Sequence, residues 1–254
     1  MQLGAGERAW PAIGGMGNWC IQAVVALAAL LAAGCEFPRD AGGTIERVRS
    51  QKVLRVGFSE RPPWVEVDHG RPVGIEPRLI EAFAAEMGAR PDWVAGSESS
   101  LIEALRERRI DLMIGGYDRS SPWVDHAAAT EPYLRSAVIV AAPHGSAPAS
   151  ASGLQGGLQG KTVAHHTLRP DLAALIAGKG ATPEPAANLG GRLAAVYDFQ
   201  AQALGLEPTG IVFRTTKRVL LAPPGESRFL YELDRFLARA GPGAAAPSDK
   251  PKGS

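Results

Sequence analysis

Short apolar runs alternate with amphipathic stretches through the first part of the chain. Val53–Phe58 and Ile110–Ile114 have the length of buried strands and are closed by prolines or glycines. Between them, residues 77–87 place apolar side chains at helical spacing, and a second helix is expected from Ser100, which stands at a capping-box spacing from Glu103. This alternation predicts an α/β fold with a parallel sheet and helices on its faces.

The later part of the chain continues the alternation of strands and helices. Helices are predicted at Asp171–Ala177 and Ser227–Ala240, each with one apolar face. Strands are predicted at Ala137–Ala142, Lys161–His166 and Val219–Ala222. Two sheet-containing halves are therefore expected.

A polar loop follows the glycines that end the Ile110–Ile114 run. The segment Asp111–Tyr133 supplies ring, hydroxyl and backbone groups, and its candidate site residues are Gly115, Gly116, Tyr117, Ser120 and Trp123. Loops at the carboxyl ends of strands bind ligands in open α/β sheets. The alternative is a solvated loop with a tryptophan packed beneath it.

Composition limits the possible partners. The chain has 254 residues, 45% of them hydrophobic, and a formal net charge of +1. One or two globular domains are expected, and the charge gives no reason to predict a nucleic-acid partner. The adjacent His165 and His166 point to opposite faces of a strand, and the other histidines lack ligand spacing, so no metal or cofactor is predicted.

The N-terminus has the pattern of a targeting segment. Cys20–Leu31 is apolar but too short for a bilayer span, and small residues lead to Cys35. This resembles a bacterial lipobox, although Ala32 replaces the more usual leucine. We predict a signal peptide over 1–34, lipidation of Cys35 and a tether over 35–43, which would anchor the chain to a membrane. A plain secretion signal or an uncleaved anchor is the alternative.

Four segments in order carry a family resemblance: VLRVGFSERPPW (53–64), PVGIEPRL (72–79), TEPY (130–133) and GLQGKTVA (157–164). They resemble the type II periplasmic solute-binding proteins, in the branch that binds polar amino acids for ABC transporters. The resemblance extends from about Thr44 to Arg239.

This resemblance implies two α/β lobes, each a mostly parallel sheet flanked by helices, joined by two hinge crossings. Lobe 1 would comprise 44–134 and 217–240, lobe 2 would comprise 135–216, and 241–254 would form a disordered tail. The crossings would fall near Glu131–Arg135 and Thr215–Lys217.

The same resemblance implies further site residues. Trp64 would form an aromatic wall for the ligand, with a place at the core edge as its alternative. Asp198 would end a strand as a ligand-facing acid, with helix capping as its alternative. His166 and Thr167 end a strand before Pro170 and could donate hydrogen bonds.

The arginine that clamps the ligand carboxylate in this family is replaced here. The family's Thr-x-x-Arg motif falls on residues 120–123, so Trp123 stands in the arginine position. Arg78 or Arg119 could substitute, and Arg78 stands where an aspartate is common. The hypothesis is therefore a solute more anionic or more aromatic than a simple amino acid.

The resemblance favours a monomeric, non-enzymatic solute-binding lipoprotein at the outer face of a bacterial membrane. Its partners would be a small polar solute and an ABC permease. Two alternatives stay open: a dehydratase for prephenate-like or arogenate-like acids on the same fold, and a lipoprotein that senses or scaffolds without a transported ligand.

Overall fold

The structure is a computed structural model that describes residues 40–146, 154 and 157–244, the last four by their backbone only. The predicted signal peptide, the lipidation site at Cys35 and the tail beyond residue 244 lie outside the described residues. In the described part of the chain, no helix is both long and apolar enough to cross a bilayer.

The described chain begins with a helix that leads into the first strand. The elements up to residue 129 are α1 (Thr44–Gln51), β1 (Val53–Phe58), β2 (Glu66–Asp68), β3 (Arg71–Val73), α2 (Ile75–Glu86), β4 (Arg90–Ala95), α3 (Glu98–Arg106), β5 (Leu112–Asp118), a 3₁₀ turn (Pro122–His126) and β6 (Ala128–Ala129). The later elements are β7 (Leu134–Pro143), β8 (Thr162–His166), α4 (Pro170–Ala177), β9 (Thr182–Ala186), β10 (Ala194–Tyr197), two 3₁₀ turns (Asp198–Gln200 and Gln202–Leu204), β11 (Leu206–Ala222) and α5 (Ser227–Ala244).

One sheet runs through the described chain in the order β4-β1-β5-β11-β7-β10-β8-β9. We name β4, β1, β5, residues 217–222 of β11 and the helices α1, α2, α3 and α5 the first half. The second half comprises β7, β10, β8, β9, residues 206–216 of β11 and helix α4. The pairs β4–β1, β1–β5, β10–β8 and β8–β9 are parallel, whereas β11 runs antiparallel to β5 and β7. The predicted α/β class is confirmed, and the pairing in the first half is mostly parallel. The second half instead has two parallel and two antiparallel pairs, because β10 also runs antiparallel to β7.

The two predicted hinge crossings lie side by side. Lys217 pairs with Arg135 and Thr216 with Ser136, and the Ser136 and Thr216 hydroxyls are 3.2 Å apart in the interior. The described residues nevertheless form one compact unit. The lobe boundaries at 134/135 and 216/217 therefore stay a prediction.

The apolar core is continuous between the halves. It includes Phe83 and Phe229 in the first half and Val163 and Leu172 in the second half. Trp64 belongs to this core and is fully buried. Apolar burial of this kind is the main favourable term in folding, so the halves are stabilised together.

Several local predictions need correction. β5 does not end at Gly115–Gly116 but continues to Asp118, because the glycines tolerate φ values of 157° and 65° within the strand. Helix α3 is capped by Ser97, whose hydroxyl accepts from the N–H of Ser100, and not by Ser100 itself. The backbone stays helical to Ala244, beyond the predicted end at Ala240, although residues 241–244 include two glycines and a proline, which have low helix propensity.

Candidate functional site

A polar cavity of about 290 Å³ lies at the carboxyl end of β5, where the first half meets the second half. Ligand pockets commonly measure about 300–1,000 Å³, so this cavity suits a small solute. Its lining residues are Arg61, Tyr117, Asp118, Ser120, Ser121, Asp171, Arg214 and Arg218.

Arg218 is the buried cation of this cavity, with only 2% of its surface exposed. Its Nη1 donates to the Gly116 carbonyl at 2.6 Å, its Nε to the Ser136 hydroxyl at 3.2 Å and its Nη2 to the Tyr197 hydroxyl at 3.1 Å. All three acceptors are neutral, and within the described residues Arg218 forms no ion pair. Burial lowers the pKa of Arg218 because the charged guanidinium loses its hydration.

Asp171 forms an ion-pair cluster on the opposite wall. It accepts two hydrogen bonds from Arg169 and one from Arg214, all at 2.8 Å. Burial alone would raise the pKa of Asp171, but the hydrogen bonds and charge of Arg169 and the charge of Arg214 lower it to about 2. Asp171 is therefore an anion at neutral pH.

Arg61 and Trp123 share one carboxylate. Arg61 donates to Glu98 Oε1 at 2.7 Å, and the indole N–H of Trp123 donates to Glu98 Oε2 at 2.8 Å. The Trp123 ring packs against the apolar cluster beneath α3 and does not line the cavity. The position of Trp123 therefore fits the alternative interpretation of this segment, in which a tryptophan packs beneath a solvated loop.

Gly115 and Gly116 are held from behind by Glu76. Their N–H groups donate to Glu76 Oε2 at 2.7 and 2.9 Å, and the Tyr133 hydroxyl donates to Oε1 at 2.5 Å. Burial raises the pKa of the Glu76 carboxyl, although these hydrogen bonds act in the opposite direction. This arrangement fixes the strand whose Gly116 carbonyl accepts from Arg218.

Tyr117 and Ser120 both lie at the cavity, as expected for the loop after Gly116. Tyr117 is 1% exposed, and its hydroxyl lies 3.1 Å from the Ser59 hydroxyl. Burial raises the pKa of Tyr117, so it stays a neutral hydrogen-bonding group. Ser120 donates its hydroxyl to Asp118 at 3.0 Å and remains exposed.

Trp64 lies behind Arg218 and does not form a cavity wall. Its ring is 5.1 Å from Tyr197 and 5.6 Å from Phe199, and the guanidinium carbon of Arg218 lies 4.7 Å from its centre. These aromatic rings fill the space between the halves next to the cavity. The predicted wall residue is thus a core residue, since its ring is surrounded by protein.

The remaining predicted residues do not join the cavity. Arg78 lines a separate pocket of about 220 Å³ beside Glu66 and Gln200, and His166 lines one of about 70 Å³. Thr167 and Asp198 are exposed. Asp198 Oδ1 accepts from the N–H of Phe199 at 3.0 Å, a local contact at the start of a 3₁₀ turn.

The arginines of the cavity were missed from the sequence. Arg214 and Arg218 are four residues apart on β11, and even spacing places side chains on one face of a strand. The available signal was this spacing of two arginines on either side of the predicted second crossing, Thr215–Lys217. Asp171 stood at the start of a predicted helix, where nothing marked its two arginine partners.

Comparison with known proteins gives one family and several structural neighbours. Residues 54–241 match the family described as bacterial extracellular solute-binding proteins, family 3. Ninety-five residues are 30% identical to membrane-bound lytic murein transglycosylase F of Vibrio cholerae, a match that covers 37% of this chain and 18% of that protein. The chain thus spans less than a fifth of the length of that curated relative.

The solved structures that resemble the chain share its fold at low sequence identity. An ancestral cationic amino acid solute-binding protein superposes with a TM-score of 0.62 at 18% identity, over 78% of this chain and 93% of that one. A polar amino acid ABC uptake transporter substrate-binding protein from Streptococcus thermophilus gives 0.58 at 14% identity, over 77% and 83%.

A third neighbour is the unliganded, open L-cystine solute receptor of Neisseria gonorrhoeae, with a TM-score of 0.55 at 17% identity, over 78% and 91% of the two chains. These likenesses agree with the resemblance seen in the four sequence segments. Because the family match covers most of its length, the chain belongs to the bacterial extracellular solute-binding proteins of family 3.

Proposed function

We propose that this protein binds a small solute through a carboxylate held by Arg218 and delivers it to an ABC transporter. Membership of an extracellular family supports a location outside the cytoplasm. In the full proposal, Cys35 carries a lipid that anchors the protein to the membrane.

The observation that carries the proposal is the buried guanidinium of Arg218 at the cavity, which has no carboxylate partner among the described residues. A buried cation without an anion is unfavourable, and a carboxylate in the cavity would supply the missing charge. Guanidinium and carboxylate form short, charge-assisted hydrogen bonds, often two at once. Ser120, Ser121 and Asp118 at the mouth offer partners for a hydroxyl or an ammonium group.

The charges of the site favour binding over a dehydratase reaction. Elimination of water requires an acid that donates a proton to the leaving hydroxyl. Asp171, with a pKa of about 2, holds no proton at neutral pH. Asp171 therefore cannot supply that proton, and we propose that the protein is a binding protein and not an enzyme.

A thermal-shift screen followed by calorimetry tests this function. A solute at 100 times its Kd should stabilise the folded state by about 2.7 kcal/mol and raise Tm. Arg218→Met should weaken the binding of carboxylate solutes about 10- to 100-fold, since a hydrogen bond to a charged group contributes about 1.5–3 kcal/mol. Methionine keeps the contact with Trp64 apolar, so this variant should fold.

The matched control is Arg192→Met, which removes an exposed arginine away from the cavity. It should bind as the wild type does. If Arg218→Met also binds as the wild type does, or no carboxylate solute raises Tm, the proposed function is wrong.

One observation favours a second function, a sensing or scaffolding lipoprotein without a transported ligand. Trp64, Tyr197 and Phe199 pack against each other in the space between the halves. A flat thermal response across a broad solute library would support this second function.

A further inference from the structure

Hydrogen-bond donors outnumber acceptors on the cavity wall. A guanidinium carries five N–H groups. Arg61 donates to Glu98 and Arg214 donates to Asp171, each through one nitrogen. The Nε of Arg214 is buried and has no partner among the described residues. With Arg218, three guanidiniums therefore face one small cavity with donors to spare.

The carboxylates of the wall are already occupied. Asp171 accepts three N–H groups from Arg169 and Arg214. Glu98 is divided between Arg61 and Trp123. Asp118 accepts from the N–H and hydroxyl of Ser120 on Oδ1.

The count of charges points in the same direction as the hydrogen bonds. Among the residues that line the cavity, three are arginines and two are aspartates, which leaves one positive charge. Glu76 does not line the cavity, and its three hydrogen bonds come from neutral donors. A solute with net negative charge is the best electrostatic complement to this wall.

We propose that the bound solute carries two carboxylates, one held by Arg218 and the other between Arg61 and Arg214. Arg61 lines the same cavity as the Asp171–Arg214 pair. This inference rests on the proposed function of the same cavity and adds the class of solute. Acidic amino acids and simple dicarboxylic acids share this chemistry.

Matched solute pairs test the second carboxylate. L-glutamate against L-glutamine, and L-aspartate against L-asparagine, differ by one charge at nearly constant size. Calorimetry on the full chain should show that at least one acidic member binds about 10-fold or more tightly than its amide. Succinate and L-malate, tested alongside, report whether Asp118 also binds an ammonium group, and tight binding of any of the four acids supports two carboxylates.

Arg214→Met is the variant that isolates the second carboxylate. It should reduce the preference for the acid over the amide to about 3-fold or less. Arg214 is about one-third exposed, and Asp171 retains both bonds to Arg169, so the fold should be preserved. Arg192→Met should leave the preference intact.

Two failures can be told apart in this experiment. If glutamine and asparagine bind as tightly as their acids, the second carboxylate is wrong while the carboxylate site at Arg218 stands. If no acid or amide binds and Arg218→Met changes nothing, both the inference and the proposed function are wrong.

Discussion

Two carboxylates near the centre of the molecule are held by opposite kinds of donor. Glu76 in the first half is fully buried and accepts only from neutral groups, two backbone N–H groups and a tyrosine hydroxyl. The side chain of Asp171, in the first turn of α4, is 37% exposed and accepts hydrogen bonds from the guanidiniums of Arg169 and Arg214. The pKa of Glu76 is raised by burial, whereas the pKa of Asp171 is lowered to about 2 by its arginines.

The difference separates a scaffold from a binding surface. Where solvent is excluded and the donors are neutral, a carboxylate fixes backbone geometry, and Glu76 fixes the glycines of β5 in this way. Where the donors are charged and a cavity is open, a carboxylate holds arginines in place at the cavity, and Asp171 holds Arg169 and Arg214 in this way. Preorganised arginines lose less entropy when a ligand binds.

The largest effect should come from removal of the Glu76 carboxylate. Glu76→Leu leaves the N–H groups of Gly115 and Gly116 and the Tyr133 hydroxyl without their acceptor. Each buried, unsatisfied group costs about 1–3 kcal/mol, so we expect a loss of about 3 kcal/mol or more in the free energy of unfolding. Urea denaturation measures this loss of stability, and Glu81→Leu on the exposed face of α2 is the control. Equal stability of the two variants would contradict the scaffold role.

A smaller loss of stability is expected from Gly116→Ala. Gly116 has a φ of 65°, and a Cβ there would lie 2.2 Å from Cδ1 of the buried Trp64 ring. Left-handed backbone costs alanine about 1–2 kcal/mol, and overpacking adds about 1–3 kcal/mol. We expect a loss of about 2–5 kcal/mol in the free energy of unfolding, measured by urea denaturation.

Gly145→Ala is the matched control for this substitution. Gly145 has a φ of 70° with nothing within 4 Å of the added Cβ, so only the backbone cost of about 1–2 kcal/mol applies. If Gly116→Ala lowers the free energy of unfolding by no more than Gly145→Ala does, the Trp64 ring moves aside to make room for the added Cβ.

Much of the fold follows from local pattern. Val53–Phe58 is a strand with the predicted bounds, because its apolar run is buried between two parallel neighbours. β4 and β9 were missed, because these edge strands contain prolines and polar residues in place of an apolar run. Edge strands need little burial, so hydrophobicity carries little information about them.

The site could be predicted only where backbone position decides it. Tyr117 lies near the carboxyl end of β5 and Ser120 just after it, which places both at the cavity, as the sheet rule implies. Trp123 lies elsewhere because its indole bonds to Glu98, which is 25 residues distant in sequence. Likewise, Asp171 and Arg214 are 43 residues apart, and nothing local reveals their pairing.

The acid dependence of stability sharpens the comparison at Asp171. A carboxyl whose pKa is lowered on folding stabilises the protein at pH values above its pKa in the unfolded chain, which is near 4. This contribution is lost as the pH falls toward 2. Asp171→Asn lacks that contribution. The stability advantage of the wild type over Asp171→Asn should therefore shrink between pH 5 and pH 2.5 in urea titrations. The exposed Asp92→Asn serves as the control, and a constant advantage would contradict the ion-pair cluster.

The smallest effect should appear at Glu76→Gln, with the opposite dependence on pH. A carboxyl whose pKa is raised on folding contributes its stability below the unfolded value of about 4.5, and that contribution is lost as pH rises through the folded pKa. Glutamine keeps an acceptor for the two glycine N–H groups and can donate to the Tyr133 oxygen, so the arrangement should survive. The stability of the wild type relative to Glu76→Gln should therefore fall between pH 4 and pH 7, while that of the wild type relative to Asp171→Asn rises from pH 2.5 to pH 5. If both stability differences change with pH in the same direction, the two carboxylates are not held by different kinds of donor. Burial dominates, and raises the pKa of a carboxyl on folding, only where its donors are neutral and the interior excludes water.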